Sequence, residues 1–419
     1  MAGVEQPAAR VPASAMVVVL AGVAAALHLG KLPPAVPALQ GALGITLVQA
    51  GFLLSLVQCA GMALGLLVGL AADTIGLRRS MLIGLAVLTL ASVAGGFVGP
   101  TPHAIEWLLV LRVLEGLGFL LTVMPAPGLI RAQTAPGSEK TALGLWGAYM
   151  PLGVALALLI GPALIGVAGW PAWWWGVAAA SATAAGAVFL ALPADAPRVA
   201  RSSEARTGEA RAPGPTGRLR ATLGAPGPWA AALAFAVYSS QWMAVIGFLP
   251  SIYAGAGVPA GATAVLTALA AAMNIVGNVM GGRLLQRGLA PGRLLRWGFG
   301  AMGLGAVAAF AQWGDVGLPP ALRYLAVCLF SMFGGMVPAT LFLLGVRLAP
   351  GPSTVSTSIG LIQQLSSLGQ FVAPPLVAWV AHRVGGWQWT WAVTGACSLA
   401  GIALASRLDR LQPVEVRAA

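Results

Sequence analysis

Twelve apolar runs, each long enough to cross a bilayer as a helix, follow one another through this chain. They lie near residues 14–36, 48–71, 79–99, 105–130, 140–168, 172–192, 228–253, 261–285, 293–313, 320–345, 355–382 and 387–406. A helix needs about 20 apolar residues to span the hydrocarbon, and a run of that kind leaves little else to fold into. The composition agrees, with 58% hydrophobic and only 8% charged residues. A soluble domain of this size carries roughly a quarter charged residues, so lipid must be part of the solvent of this chain. The net charge of +12 does not indicate nucleic-acid binding, because the basic residues lie between apolar spans rather than on a polar face. The apolar run from Ala15 is read as the first span and not as a cleaved signal peptide.

An even number of spans puts both termini on one side. Of the 23 Lys and Arg residues, only Lys31, Arg112, Arg323 and Arg383 fall to the other side. That asymmetry predicts cytoplasmic termini. The longest polar stretch, 193–226, is rich in Pro, Gly, Ser and Arg and reads as a flexible cytoplasmic linker. It divides the chain into an N-terminal six-helix bundle, 1–192, and a C-terminal one, 227–419, with a short tail. The halves look like repeats. Gly61, Gly65 and Gly69 recur four apart in the second span, and Gly277 and Gly281 do so in the eighth. Small residues at that spacing allow close helix approach in lipid.

Between the second and third runs lies Gly69-Leu70-Ala71-Ala72-Asp73-Thr74-Ile75-Gly76-Leu77-Arg78-Arg79. At Gly69, Asp73, Gly76, Arg78 and Arg79 this resembles the loop motif of the major facilitator superfamily; its third position is Ala71 where Leu is usual. Gly282-Arg283-Leu284-Leu285-Gln286-Arg287-Gly288, after the eighth run, resembles a degenerate copy with Gln286 in the Asp position. In the fourth run, Arg112-Val113-Leu114-Glu115-Gly116-Leu117-Gly118 resembles a second motif of that superfamily, with Glu115 at the usual Gln position. The resemblance implies an all-α polytopic membrane protein with twelve transmembrane helices in two six-helix bundles. It also implies alternating access about a central site, with the loop from Gly69 to Arg79 as a gate and Asp73 as an acceptor for helix N-termini and arginines. Leu32-Pro33-Pro34 … Pro37, Gln241 … Leu249-Pro250 … Tyr253 … Gly257 and Gln363-Gln364 before Gly369 and Pro374 further resemble the cyanate-permease-like branch. Gly153, Gly161-Pro162 and Gly166 partly resemble an antiporter motif.

The residues able to carry chemistry are few. Glu115 is the one carboxylate placed well inside the hydrocarbon, which makes it the candidate for proton coupling. A charge there needs a partner or a wet cavity. Arg112, at i,i+3, is either that partner or a ligand for an anionic solute. Lys31, three after His28, reads either as a snorkelling residue at the outer helix end or as a cation at the outer mouth. Tyr149 pairs with Trp146 at helical spacing. In the second half, Tyr238, Gln241, Asn274 and Gln363 are uncharged polar positions that either bond helix to helix or face a central site. Cys59, Cys328 and Cys397 read as packing residues, and the three histidines lack metal-ligand spacing. No nucleotide loop, metal motif or nucleophile elbow is present, so neither an enzyme nor a cofactor is expected. The expectation is a monomeric, gradient-driven transporter of a small solute, most simply a small anion moved with a proton, in a bacterial cytoplasmic membrane. Proton-driven efflux of drug-like compounds is the alternative.

Overall fold

The computed structural model describes residues 11–65, 76–135, 138–195, 214–313, 316–351 and 354–412. In chain order the helices are α1 (Ala13–Gly30), α2 (Leu32–Leu43), α3 (Leu47–Gly65), α4 (Leu77–Gly96), α5 (Ala104–Val123), α6 (Ala126–Gln133), α7 (Glu139–Trp146) and α8 (Tyr149–Ala191). There follow α9 (Pro215–Gly224), α10 (Pro226–Gly255), α11 (Ala260–Gln286), α12 (Pro291–Phe310), α13 (Pro320–Arg347), α14 (Val355–Val384) and α15 (Thr390–Leu411). One two-residue hairpin, β1 (Gln312–Trp313) with β2 (Val316–Gly317), joins α12 to α13. Each expected apolar run is mostly helical where it is described. Among the described residues, nine helical stretches are long and apolar enough to cross a membrane.

Local chemistry sets the breaks. Pro33 and Pro34 have no N–H for the carbonyls one turn earlier, so α1 ends and the chain resumes as α2. A capping box opens α3, with Gln49 N donating to Thr46 Oγ1 and Thr46 N donating to Gln49 Oε1. Pro125 and Pro127 lie at the junction of α5 and α6. The 43 residues of α8 would reach about twice the hydrocarbon thickness if straight. They fold back at Gly169, whose φ of 79° is open to glycine, so that Trp173 of the returning arm packs beside Gly161.

Among the described residues the bundles meet chiefly along three seams. The first arm of α8 packs on α11, α3 packs on α14, and α2 packs on α10. At the end of the molecule opposite the 76–79 loop, Leu32, Leu39, Leu53, Leu54 and Phe248 form one apolar cluster across both halves. The glycine stripes do serve close approach, but to different partners. Gly61 and Gly65 face Ser367 and Gln364 of α14 in the other bundle, while Gly277 and Gly281 face α13 in their own. The expected flexible linker is corrected at its far end, where α9 is helical and packs on α10 and α14, with Trp229 Nε1 donating to Leu223 O.

Candidate functional site, a buried charge cluster

The junction of α1 and α2 carries Lys31 into the interior, where it is fully buried, as is His28 one turn earlier. This overturns the expectation that Lys31 sits at an outer helix end or mouth. The reason is length: the first span runs 31 residues, from Ala13 to Leu43, so Lys31 falls within it instead of at its end. Glu115 of α5 receives three neighbours. Lys31 Nζ donates to Oε1, Arg112 Nη1 donates to Oε2 at 2.5 Å, and His28 Nδ1 stands 3.4 Å from Oε1. Arg112 and Glu115 are 2% and 1% exposed, so water does not screen these pairs.

The surrounding helices complete the shell. Lys31 Nζ also donates to Ser92 Oγ of α4 at 2.9 Å and lies 4.7 Å from the centre of the Trp174 ring. Ser92 Oγ donates to Trp174 O, and Trp173 Nε1 donates to Lys31 O, which ties the α1–α2 break to the second arm of α8. His28 Nε2 and Ser181 Oγ are 2.7 Å apart. Arg112 donates through Nε to Leu53 O and through Nη1 to His28 O, while its Nη2 has no hydrogen-bond partner among the described residues. One carboxylate therefore holds together a lysine, an arginine and a histidine from two spans. Gly153 and Gly30 make room for this arrangement by letting α1 approach α8 closely, and Gly116 does so for α5 against Val57.

Arg112 and Glu115 are brought together as their spacing suggests, and Lys31 joins them. The other candidates lie elsewhere. Tyr149 stacks on Trp146, with ring centres 4.1 Å apart. Asn274 Nδ2 donates to Tyr238 OH at 3.0 Å and to Ser331 O at 3.1 Å, inside the C-terminal bundle. Gln241 turns the other way, donating to Val237 O and accepting from Ser398 Oγ of α15. Gln241 and Asn274 are thus spent on different helices and do not converge with Gln363, which is half-buried on α14. Among the described residues three polar links cross the bundles instead, one of them from Asn278 Nδ2 to Gly147 O at 3.3 Å. Gln58 Nε2 donates to Gln370 Oε1 at 3.1 Å, and Gln364 Nε2 donates to Met62 O at 2.8 Å. Gln58 went unnoticed in the sequence because one amide in an apolar run has no periodic signature. Of the loop motif, Gly69 and Asp73 lie outside the described residues. Gly76 has a φ of 103°, and Arg78 donates through Nη2 to Phe189 O and stacks on the Phe189 ring.

Comparison with known proteins bears on the fold. Two structures of a bacterial homolog of the human lysosomal transporter Spinster share the fold. The inward-facing, occupied one gives a TM-score of 0.74 at 16% identity over 96% of this chain and 97% of that one. The inward-facing, unoccupied one gives 0.67 at 15% identity over 95% and 94%. A tetracenomycin C resistance and export protein of Streptomyces glaucescens is 33% identical over 104 residues, which is 25% of this chain and 19% of that protein. The methyl viologen resistance protein SmvA of Salmonella typhimurium is 33% identical over 154 residues, 36% of this chain and 30% of that one. The aligned segments thus span less than a third of these relatives' lengths. A sequence model of the Major Facilitator Superfamily matches residues 16–374. The chain, a multi-pass membrane protein, belongs to the Major Facilitator Superfamily of transporters.

Proposed function

We propose that the chain is a proton-coupled transporter of a small anion, working by alternating access in a bacterial cytoplasmic membrane with both termini inside. The observation that carries this reading is the buried grip of Glu115 on Lys31. Lys31 is the residue that joins α1 to α2, and α2 packs across the seam on α10. A proton on Glu115 weakens that grip and frees the α1–α2 junction to move, which loosens the apolar seal around Leu32, Leu39 and Phe248. The same proton leaves Lys31 and Arg112 without a counter-charge, and Arg112 Nη2 is a donor still to be used. An anion arriving with the proton restores the balance, so the two are favoured together.

The test is uptake of nitrate, acetate and benzoate into proteoliposomes with and without an inward-acid gradient. The wild type is expected to accumulate at least one of them only with the gradient. The Lys31→Met/Glu115→Gln variant keeps the net charge of the cluster but lacks its carboxylate, and is expected to lose that dependence. Gradient-driven accumulation that survives in the double variant would refute coupling at Glu115. Efflux of drug-like compounds is the second reading. It is favoured by the names of the two relatives, both resistance proteins, and by the Gly-Pro pattern of α8. Gene deletion that sensitises cells to such compounds, without any anion uptake, would select it.

A further inference from the structure

Each half of the molecule repeats one device at the start of its third long helix. In the first half, Asp195 lies just beyond the end of α8, and its carboxylate caps α4. Oδ1 accepts from Arg78 N at 3.0 Å and Oδ2 from Arg79 N at 2.9 Å. Gly76 precedes them, and a Cβ there would overlap that carboxylate, besides straining a backbone held at φ 103°. In the second half, Asp409 lies in the last turn of α15 and packs on Gly292 at the start of α12. A Cβ on Gly292 would overlap the Asp409 carboxylate, which also accepts from Arg296 Nη1 of α12. A carboxylate at or just past the end of the last helix, a bare glycine and a nearby arginine thus recur in both halves. The donors differ: backbone N–H groups in one, a guanidinium in the other.

We infer that Asp195 and Asp409 are a duplicated pair of positioning residues, each tying the last long helix of its half to the third so that the half turns as one body. Asp195 also fixes the Gly76–Arg79 end of the loop motif from outside that motif. In this arrangement the conformational freedom of each bundle is spent at the seams with the other and not within itself. The inference rests on family membership and not on the identity of the solute or the coupling proton.

Hydrogen exchange read by mass spectrometry on the full-length protein in nanodiscs tests it. In Asp195→Ala, the amides of Arg78 and Arg79 are expected to exchange about fivefold faster, the scale of a lost helix cap. Residues 291–297 should stay as in the wild type, and Asp409→Asn should give the converse. A local cap would stop there. A positioning role also changes exchange at the inter-bundle seam, in 59–65 of α3 and 361–370 of α14, in both variants. Gly76→Ala displaces the same carboxylate and should reproduce the Asp195→Ala pattern, which keeps the test open if one variant folds poorly. Unchanged exchange at Arg78 and Arg79, or a local change with a wild-type seam, would overturn the proposal.

Discussion

Glu115→Gln is expected to destabilise the N-terminal bundle by about 3–5 kcal/mol, the usual cost of removing one partner from a buried ion pair. The magnitude follows from what remains. Lys31 and Arg112 would stand side by side, both nearly or fully buried, with no carboxylate between them. Lys31→Met is expected to cost much less. It removes a cation while Arg112 and Glu115 still balance, and Ser92 keeps its bond to Trp174 O. The double variant, Lys31→Met/Glu115→Gln, should recover part of the loss of the single Glu115 change, because one of the two stranded cations has gone. Thermal unfolding in detergent, followed by tryptophan fluorescence, reads the order directly. A Glu115→Gln protein that melts with the wild type, or a double variant less stable than Glu115→Gln, would show that the cluster does not balance its charge through this carboxylate.

The architecture was legible because lipid leaves few options. A run of about 20 apolar residues must satisfy its own backbone, and the helix does so. The pairing of Arg112 with Glu115 was legible for a similar reason, since i,i+3 on one helix is a local geometry. Lys31 was misplaced because its depth depends on where α1 stops. The first run is expected to end near residue 36, whereas the chain resumes as α2 to Leu43 and carries the lysine inward. Its contact with Glu115 crosses 84 residues of sequence. Asp195 looked like the first charge of a flexible linker, and nothing local shows that its carboxylate reaches Arg78 and Arg79. The amides show the same limit. A buried Gln or Asn must find a partner, but the sequence does not say whether that partner lies in the same bundle, as for Asn274, or in the other, as for Gln58.

Gly277→Ala is the other substitution expected to do large damage, about 3 kcal/mol or more, although it adds one methyl group. The added Cβ would overlap the carbonyl oxygen of Met332 on α13 and stand 3.2 Å from the Cα of Gly335. Gly335 in turn leaves no room for a Cβ against the carbonyl of Asn274, so the two backbones face each other across a pair of glycines. Neither side offers a flexible side chain that can move aside, and relief requires the helices to part. Parting them pulls Ser331 O of α13 away from Asn274 Nδ2, which loses one buried hydrogen bond at a further cost of about 1 kcal/mol. Gly282→Ala, on the same helix, is the control. A Cβ there meets nothing within 4 Å, so it should be neutral or stabilise α11 by up to about 1 kcal/mol through helix propensity alone. The two substitutions are chemically identical and five residues apart, and only Gly277→Ala should lower the melting temperature. Equal shifts would mean that the α11–α13 approach is loose enough to absorb a methyl group, and the bonds of Asn274 would then not depend on it.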